Sequence, residues 1–137
     1  MIEFALSKAM KVAVKPHQTK QISAKEKIEK MLLENKAFAF DILVDKQIVG
    51  FAMLREYEPN KYFLWNYAID KDFQGQGLGK KCLKELIVFL KEHYACKALS
   101  TTYKMTNYTA KKLYQDLGFQ ETEVVEDQQE VDMLLKF

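Results

Sequence analysis

The spacing of apolar and polar residues changes period several times along the chain. From Tyr62 to Ile69 the residues are mostly apolar and strand-like, and Asp70 to Asp72 make a short polar turn. Leu78, Cys82, Leu83, Leu86, Ile87 and Leu90 then recur at helical spacing, with Lys80, Lys81, Lys84, Glu85 and Lys91 elsewhere on the wheel. Upstream, Ile2, Phe4 and Leu6 alternate as in a short strand. However, Ile2, Ala5, Leu6, Ala9, Met10 and Ala13 also fit one helical face, and the spacing is read as a helix over about residues 3–14, broken by Pro16. Ser23, with Glu26 three residues on, predicts a capping box for a helix that carries Ile28, Met31 and Leu32 and ends near Asn35. Ala37–Val44 and Ile48–Arg55 read as a hairpin around Asp45-Lys46-Gln47, and Pro59-Asn60 turns the chain into the strand at Tyr62. Beyond the long helix, Ala98–Thr102 reads as a strand parallel to Tyr62–Ile69. Asn107 opens a short helix with Ala110, Leu113, Tyr114 and Leu117 on one face, ended by Gly118. Phe119–Val125 and Glu130–Phe137 form a last hairpin.

With no repeat, low-complexity tract or linker, residues 1–137 are expected to make a single α/β domain. A net charge of +2 gives no ground for nucleic-acid or membrane binding. The distribution is more informative. Residues 1–36 hold eight Lys against four Glu, whereas residues 120–132 carry Glu121, Glu123, Glu126, Asp127, Glu130 and Asp132 and no basic residue. No apolar run approaches the roughly 20 residues of a membrane span, and no signal-peptide pattern opens the chain. Cys82 and Cys96 lack metal-type spacing, so no metal is expected and a reduced cytoplasm is. Monomer or homodimer is left open.

The candidate chemistry sits where the strand gives way to the long helix, at Gln74-Gly75-Gln76-Gly77-Leu78-Gly79-Lys80. A helix start offers backbone N–H groups without intrahelical partners and the positive end of a dipole, and glycines let an anion reach them. The G-x-G-x-x-G spacing fails because position 80 is Lys, and a P-loop fails at Gln74 and Lys81. What remains is Q-x-x-G-x-G, formed by Gln74, Gly77 and Gly79. About 30 residues on, Asn107, Ala110, Leu113, Tyr114, Leu117, Gly118 and Phe119 spell N-x-x-A-x-x-L-Y-x-x-L-G-F.

Together the two motifs resemble the GCN5-related N-acetyltransferase (GNAT) superfamily, over roughly residues 37–137. Within it, "VGFAM" at 49–53, "QGQGLGKKCLKELI" at 74–87 and "AKKLYQDLGFQ" at 110–120 look most like bacterial spermine/spermidine acetyltransferases. The resemblance implies an acyl-CoA N-acyltransferase fold, a mixed central sheet with helices on both faces. Too little chain precedes Pro16 for both an edge strand and a helix, so the presence of that family's first strand is left open. It implies acetyl-CoA as co-substrate and a small-molecule amine, a polyamine in the finer reading, as acceptor. The backbone of Tyr67, Ala68 and Ile69 would pair with the pantetheine arm, Gln74 to Lys80 (with Gly75, Gln76, Gly77, Leu78 and Gly79) would hold the pyrophosphate through main-chain groups, and Asn107 would bond the arm. Tyr114 would serve as general acid, since a phenol stays protonated at neutral pH.

A base is harder to name. An aliphatic amine of pKa about 10.4 is roughly one part in a thousand neutral at pH 7.4, equivalent to about 4 kcal/mol of barrier. Glu56 and Glu58, at the end of the second hairpin strand, are the candidates; Trp65 and Asn66 stand where similar polyamine acetylases carry a carboxylate, which argues against a polyamine acceptor. Thr102 stands where ribosomal-protein N-terminal acetylases have Glu, which argues against a protein N-terminus as acceptor. Glu126 and Glu130 are the acids expected to meet the acceptor. An aminoglycoside or protein-lysine acceptor, or an acyl-CoA-binding module without turnover, are the alternatives.

Overall fold

The computed structural model describes all residues 1–137. Its centre is a seven-stranded sheet, β1 (Ile2–Ser7), β2 (Phe38–Val44), β3 (Gln47–Glu58), β4 (Lys61–Ile69), β5 (Ala98–Lys104), β6 (Gln120–Val125) and β7 (Glu130–Lys136), in the order β1-β2-β3-β4-β5-β7-β6. Only β4 and β5 pair in parallel; the other neighbours are antiparallel. Three helices, α1 (Lys25–Leu33), α2 (Leu78–His93) and α3 (Tyr108–Asp116), cover both faces. The expected mixed sheet with helices on both sides is what forms, and none of the helices is long and apolar enough to cross a membrane.

The N-terminal expectation fails. Residues 2–7 form an edge strand paired in register with β2, Ile2 opposite Val44 through Ser7 opposite Ala39, so the first strand is present and no helix spans 3–14. Pairing with β2 satisfies the β2-facing backbone groups of residues 2–7, and partners 32 to 42 residues away (Ser7–Ala39 to Ile2–Val44) are invisible to local periodicity. The Ser23 capping box also fails. Ala24, whose methyl group offers no side-chain bond, is the N-cap of α1, and Ser23 is bonded to Asn66 on β4 instead (below). The β2–β3 turn is tighter than expected: Val44 pairs with Gln47, and Asp45 and Lys46 both take positive φ (49° and 69°), the conformation of a two-residue type I′ hairpin.

The two faces carry separate cores. Under α2 and α3 lie Phe40, Ile42, Leu64, Leu83, Leu86, Leu90, Leu99 and Met133. Under α1 and the strap formed by residues 8–14 lie Met10, Val12, Ile28, Leu32, Phe51 and Met53. The strap is pinned by Asp41, a buried carboxylate on β2, which accepts from Lys11 Nζ at 2.6 Å while Lys11 also reaches Ser7 Oγ. It then meets the end of β4, where Ala13 N–H donates to Asp70 Oδ2 and Lys71 N–H to the Ala13 carbonyl.

Candidate active site

A gap in the sheet makes the site. β4 and β5 pair from Lys61/Ala98 only as far as Leu64/Thr101. At that point β4 carries a bulge: Met53 opposes Asn66 and Leu54 opposes Leu64, leaving Trp65 as the extra residue. A bulge bends its strand and disrupts the ladder locally. It also places Trp65 and Asn66 together on the α1 face before the alternation resumes at Tyr67. Beyond it, the β5-facing edge of Trp65 to Ile69 has no strand partner, and a cavity of about 940 Å³ opens between the two strands. Sequence reasoning did not see the bulge. Asn66 is 4% exposed and clamps the segment leading into α1, accepting from Ser23 N–H at 2.9 Å and donating to Ser23 Oγ at 3.3 Å.

At one end of the cavity lies the glycine loop. Gly75 and Gly77 hold φ of 79° and 78°, and Gly77 is the N-cap of α2. A Cβ at either would project into open space, and at Gly79 it would meet only Ile69 Cγ1 at 3.9 Å. None of the N–H groups of Gln74 to Lys80 has an acceptor within the protein; the first helical bond is Lys81 N–H to the Gly77 carbonyl. This is an open row of donors at the positive end of a 16-residue helix, a surface that fits a phosphate anion. Two brackets hold it to the sheet. Tyr67 hydroxyl donates to the Gly79 carbonyl at 2.6 Å, and Gln74 Nε2 donates to the Ile69 carbonyl at 2.9 Å. Gln74 and Gln18 also exchange amide bonds of 2.9 and 3.0 Å, tying the loop to the segment Pro16–Gln21. Gln18 carried no motif and was not identifiable from sequence. Gln76 alone among the loop residues is off the cavity wall, and Lys80 turns its ammonium toward Asp116 at 3.6 Å.

Tyr114 lines the cavity from α3, 7% exposed and packed on the Phe119 ring. Burial pushes its hydroxyl pKa up, and the Thr101 hydroxyl partly offsets this. Tyr67 is pushed further above the usual phenol value by burial, with Cys82 and Tyr114 adding to it. Both phenols therefore keep their protons throughout the neutral range. Asn107, on the cavity wall, is the N-cap of α3, its Oδ1 accepting from Ala110 N–H at 3.1 Å and its Nδ2 without a protein partner.

The acids divide differently from the sequence expectation. Glu56 and Glu58 lie off the cavity wall. Glu56 accepts from Asn60 N–H at 2.9 Å and Glu58 sits 3.9 Å from Lys61, so both serve the β3–β4 turn. Glu126 is exposed in the turn between β6 and β7, also off the wall. Glu130 is on the wall, paired with Lys104 at 2.8 Å. Beside it, Thr102 lines the cavity and donates to Asp132 Oδ1 at 2.7 Å. No group of three or more His, Cys, Asp or Glu could hold a metal ion.

A family model described as "Acetyltransferase (GNAT) family" matches residues 5–119. A protein of Bacillus subtilis subsp. natto named probable spermine N(1)-acetyltransferase is 48% identical over 80 residues, covering 53% of each chain. The spermine/spermidine N(1)-acetyltransferase of Bacillus subtilis strain 168 is 46% identical over 80 residues, again 53% of each. The match thus spans about half the length of these relatives. Among solved structures, a GNAT family acetyltransferase from Elizabethkingia anophelis with acetyl-CoA bound superposes with a TM-score of 0.75 at 19% identity, over 99% of this chain and 98% of that one.

Proposed function

The chain belongs to the acetyltransferase (GNAT) family, and from that premise we propose that it transfers an acetyl group from acetyl-CoA to a small cationic amine. The gap between β4 and β5 carries the reading: an unpartnered strand edge, a row of free backbone donors and a protonated phenol share one cavity wall. A pantetheine arm laid along that edge would take up main-chain groups of Tyr67 and Ala68 as an added strand does. Ile69 offers less, since its carbonyl is already held by Gln74. The N–H groups from Gln74 to Lys80 would bind the pyrophosphate, and Asn107 Nδ2 would donate to the arm. Bound there, acetyl-CoA supplies the activated acyl carbonyl. Tyr114 would protonate the departing sulfur, and its raised pKa keeps that proton available at neutral pH.

The acceptor is proposed to be a polyamine, spermine or spermidine, a reading supported by the names of the two Bacillus relatives. Glu130 offers one carboxylate to it. A second reading, an amine bearing its own carboxylate, is favoured by Lys20 and Lys27, which line the α1 side of the cavity without an ion-pair partner. The test is CoA release from acetyl-CoA across spermine, spermidine, a diamino acid, an aminoglycoside and a lysine peptide. Turnover with a polyamine alone upholds the first reading; turnover confined to the diamino acid replaces it with the second. Tight acetyl-CoA binding with no release on any amine would leave a binding module and sink the enzyme reading.

A further inference from the structure

We propose that the acceptor amine loses its proton to Thr102 Oγ1, with Asp132 behind it as the carboxylate that takes the charge. This rests on the acetyl-transfer reading and names the group that prepares the acceptor. The cavity wall holds few alternatives. Trp65 and Asn66 bring no carboxylate, Asn66 is committed to Ser23, and Glu130 is neutralised by Lys104 at 2.8 Å. Thr102 is on the wall, and its hydroxyl donates to Asp132 Oδ1 at 2.7 Å, the length of a charge-assisted bond. A hydroxyl that donates to a carboxylate still has lone pairs free to accept from an ammonium or a bridging water.

The placement also suits the chemistry. Alternation along β5 puts Thr101 and Tyr103 on the face covered by α2 and α3, with Tyr114, and puts Thr102 on the opposite face. Acid and base therefore flank the gap from opposite sides, where a leaving sulfur and an incoming nitrogen need them. One ammonium proton passes to Thr102 as the Thr102 proton passes to Asp132, which later releases it to solvent. The N–C bond forms and the C–S bond breaks with its electron pair going to sulfur. Tyr114 gives sulfur a proton and recovers one, through solvent, from the acylated nitrogen. The charged groups around Asp132 are Glu123, its register partner on β6, and the Lys104–Glu130 pair two residues along β5 and β7.

Asp132→Asn keeps an acceptor for the Thr102 hydroxyl but cannot take its proton. Its kcat is expected to fall about 10²-fold near pH 7, with acetyl-CoA affinity by calorimetry unchanged. The deficit should shrink as pH rises toward the amine's own pKa of about 10.4, where solvent supplies free amine. Thr102→Val should show the same pH-dependent loss and Thr102→Ser should recover most of the rate, a pair that decides the matter should Asp132→Asn fold poorly. Wild-type turnover in Asp132→Asn, a loss of equal size at every pH, or equal rates in the Val and Ser variants would each overturn the relay while leaving the enzyme reading intact. A wild-type protein that releases no CoA with any amine overturns both.

Discussion

Tyr114 is committed to packing, and the proposed mechanism gives the same position a part in the chemistry. Its ring lies against Phe119 in the core under α2 and α3, and its hydroxyl reaches the cavity wall. Tyr114→Phe keeps the ring and removes only the oxygen. The variant is expected to bind acetyl-CoA like the wild type by calorimetry and to lose about 10²-fold in kcat, the scale of a missing general acid. Unchanged turnover would reduce Tyr114 to a packing residue. Its motif made this position legible in the sequence. Glu56 and Glu58 had no such context: an acid at a strand end closes a turn as readily as it serves a site, and here Asn60 N–H and Lys61 claim the two. Asn66, read from the sequence as lacking a carboxylate, is held through both its amide groups by Ser23, 43 residues away in sequence.

At the scale of elements, α2 and its glycine loop were readable because a strand, a turn and an amphipathic helix each leave a local period. Residues 2–14 were not, because Ile2, Phe4 and Leu6 serve a six-residue edge strand whose outer positions stay apolar; Leu6 is 70% exposed. Only the pairing with β2 decides between strand and helix there. The bulge at Trp65 was equally hidden, since one extra residue in a register has no sequence signature of its own. Within the loop the glycines are not equivalent. Gly75 and Gly77 need positive φ, so any side chain there strains the backbone, roughly 1–2 kcal/mol for a left-handed residue. Gly79 is helical, and its added Cβ would meet only Ile69 at 3.9 Å. Gly79→Ala is therefore expected to match or exceed wild-type thermal stability, by up to about 1 kcal/mol. Its acetyl-CoA dissociation constant should rise several-fold, because the methyl group stands among the free N–H donors. Equal affinity in the folded variant would remove the loop from the donor site.

Over the whole molecule, two patterns of charge have measurable consequences. Tyr67, Tyr103, Tyr114, Cys82 and Cys96 all have raised pKa values from burial, Cys96 to about 11 and Tyr103, with Glu121 adding, to about 12. Unfolded Cys and Tyr ionise near about 8.5 and 10, so above those values the folded chain holds more protons than the unfolded one and stability must fall as pH rises. The melting temperature should not fall on their account from pH 7 to about 8.5 and should drop steadily beyond about 10. An alkaline Tm without that fall would mean these groups are open to solvent. The second pattern is the division between a lysine-rich first quarter and an acidic final hairpin. The segment Pro16–Gln21 and α1 bring Lys20 and Lys27 to one wall of the cavity, β5 and β7 bring Lys104 and Glu130 to the other, and Lys80 marks the donor end. Only Glu130 is acidic among the charged wall residues. A wall of this sign attracts the polyanionic donor and opposes a polycationic acceptor, and salt screens both effects, over about 8 Å at physiological ionic strength. The KM for acetyl-CoA should therefore rise with salt, while the KM for spermidine falls or stays level. Converting Lys20 and Lys27 to Glu should lower the spermidine KM several-fold and raise that of any acceptor bearing a carboxylate. A spermidine KM that climbs with salt in the wild type would mean that attraction to Glu130 outweighs the lysines, which would then play no part in acceptor choice.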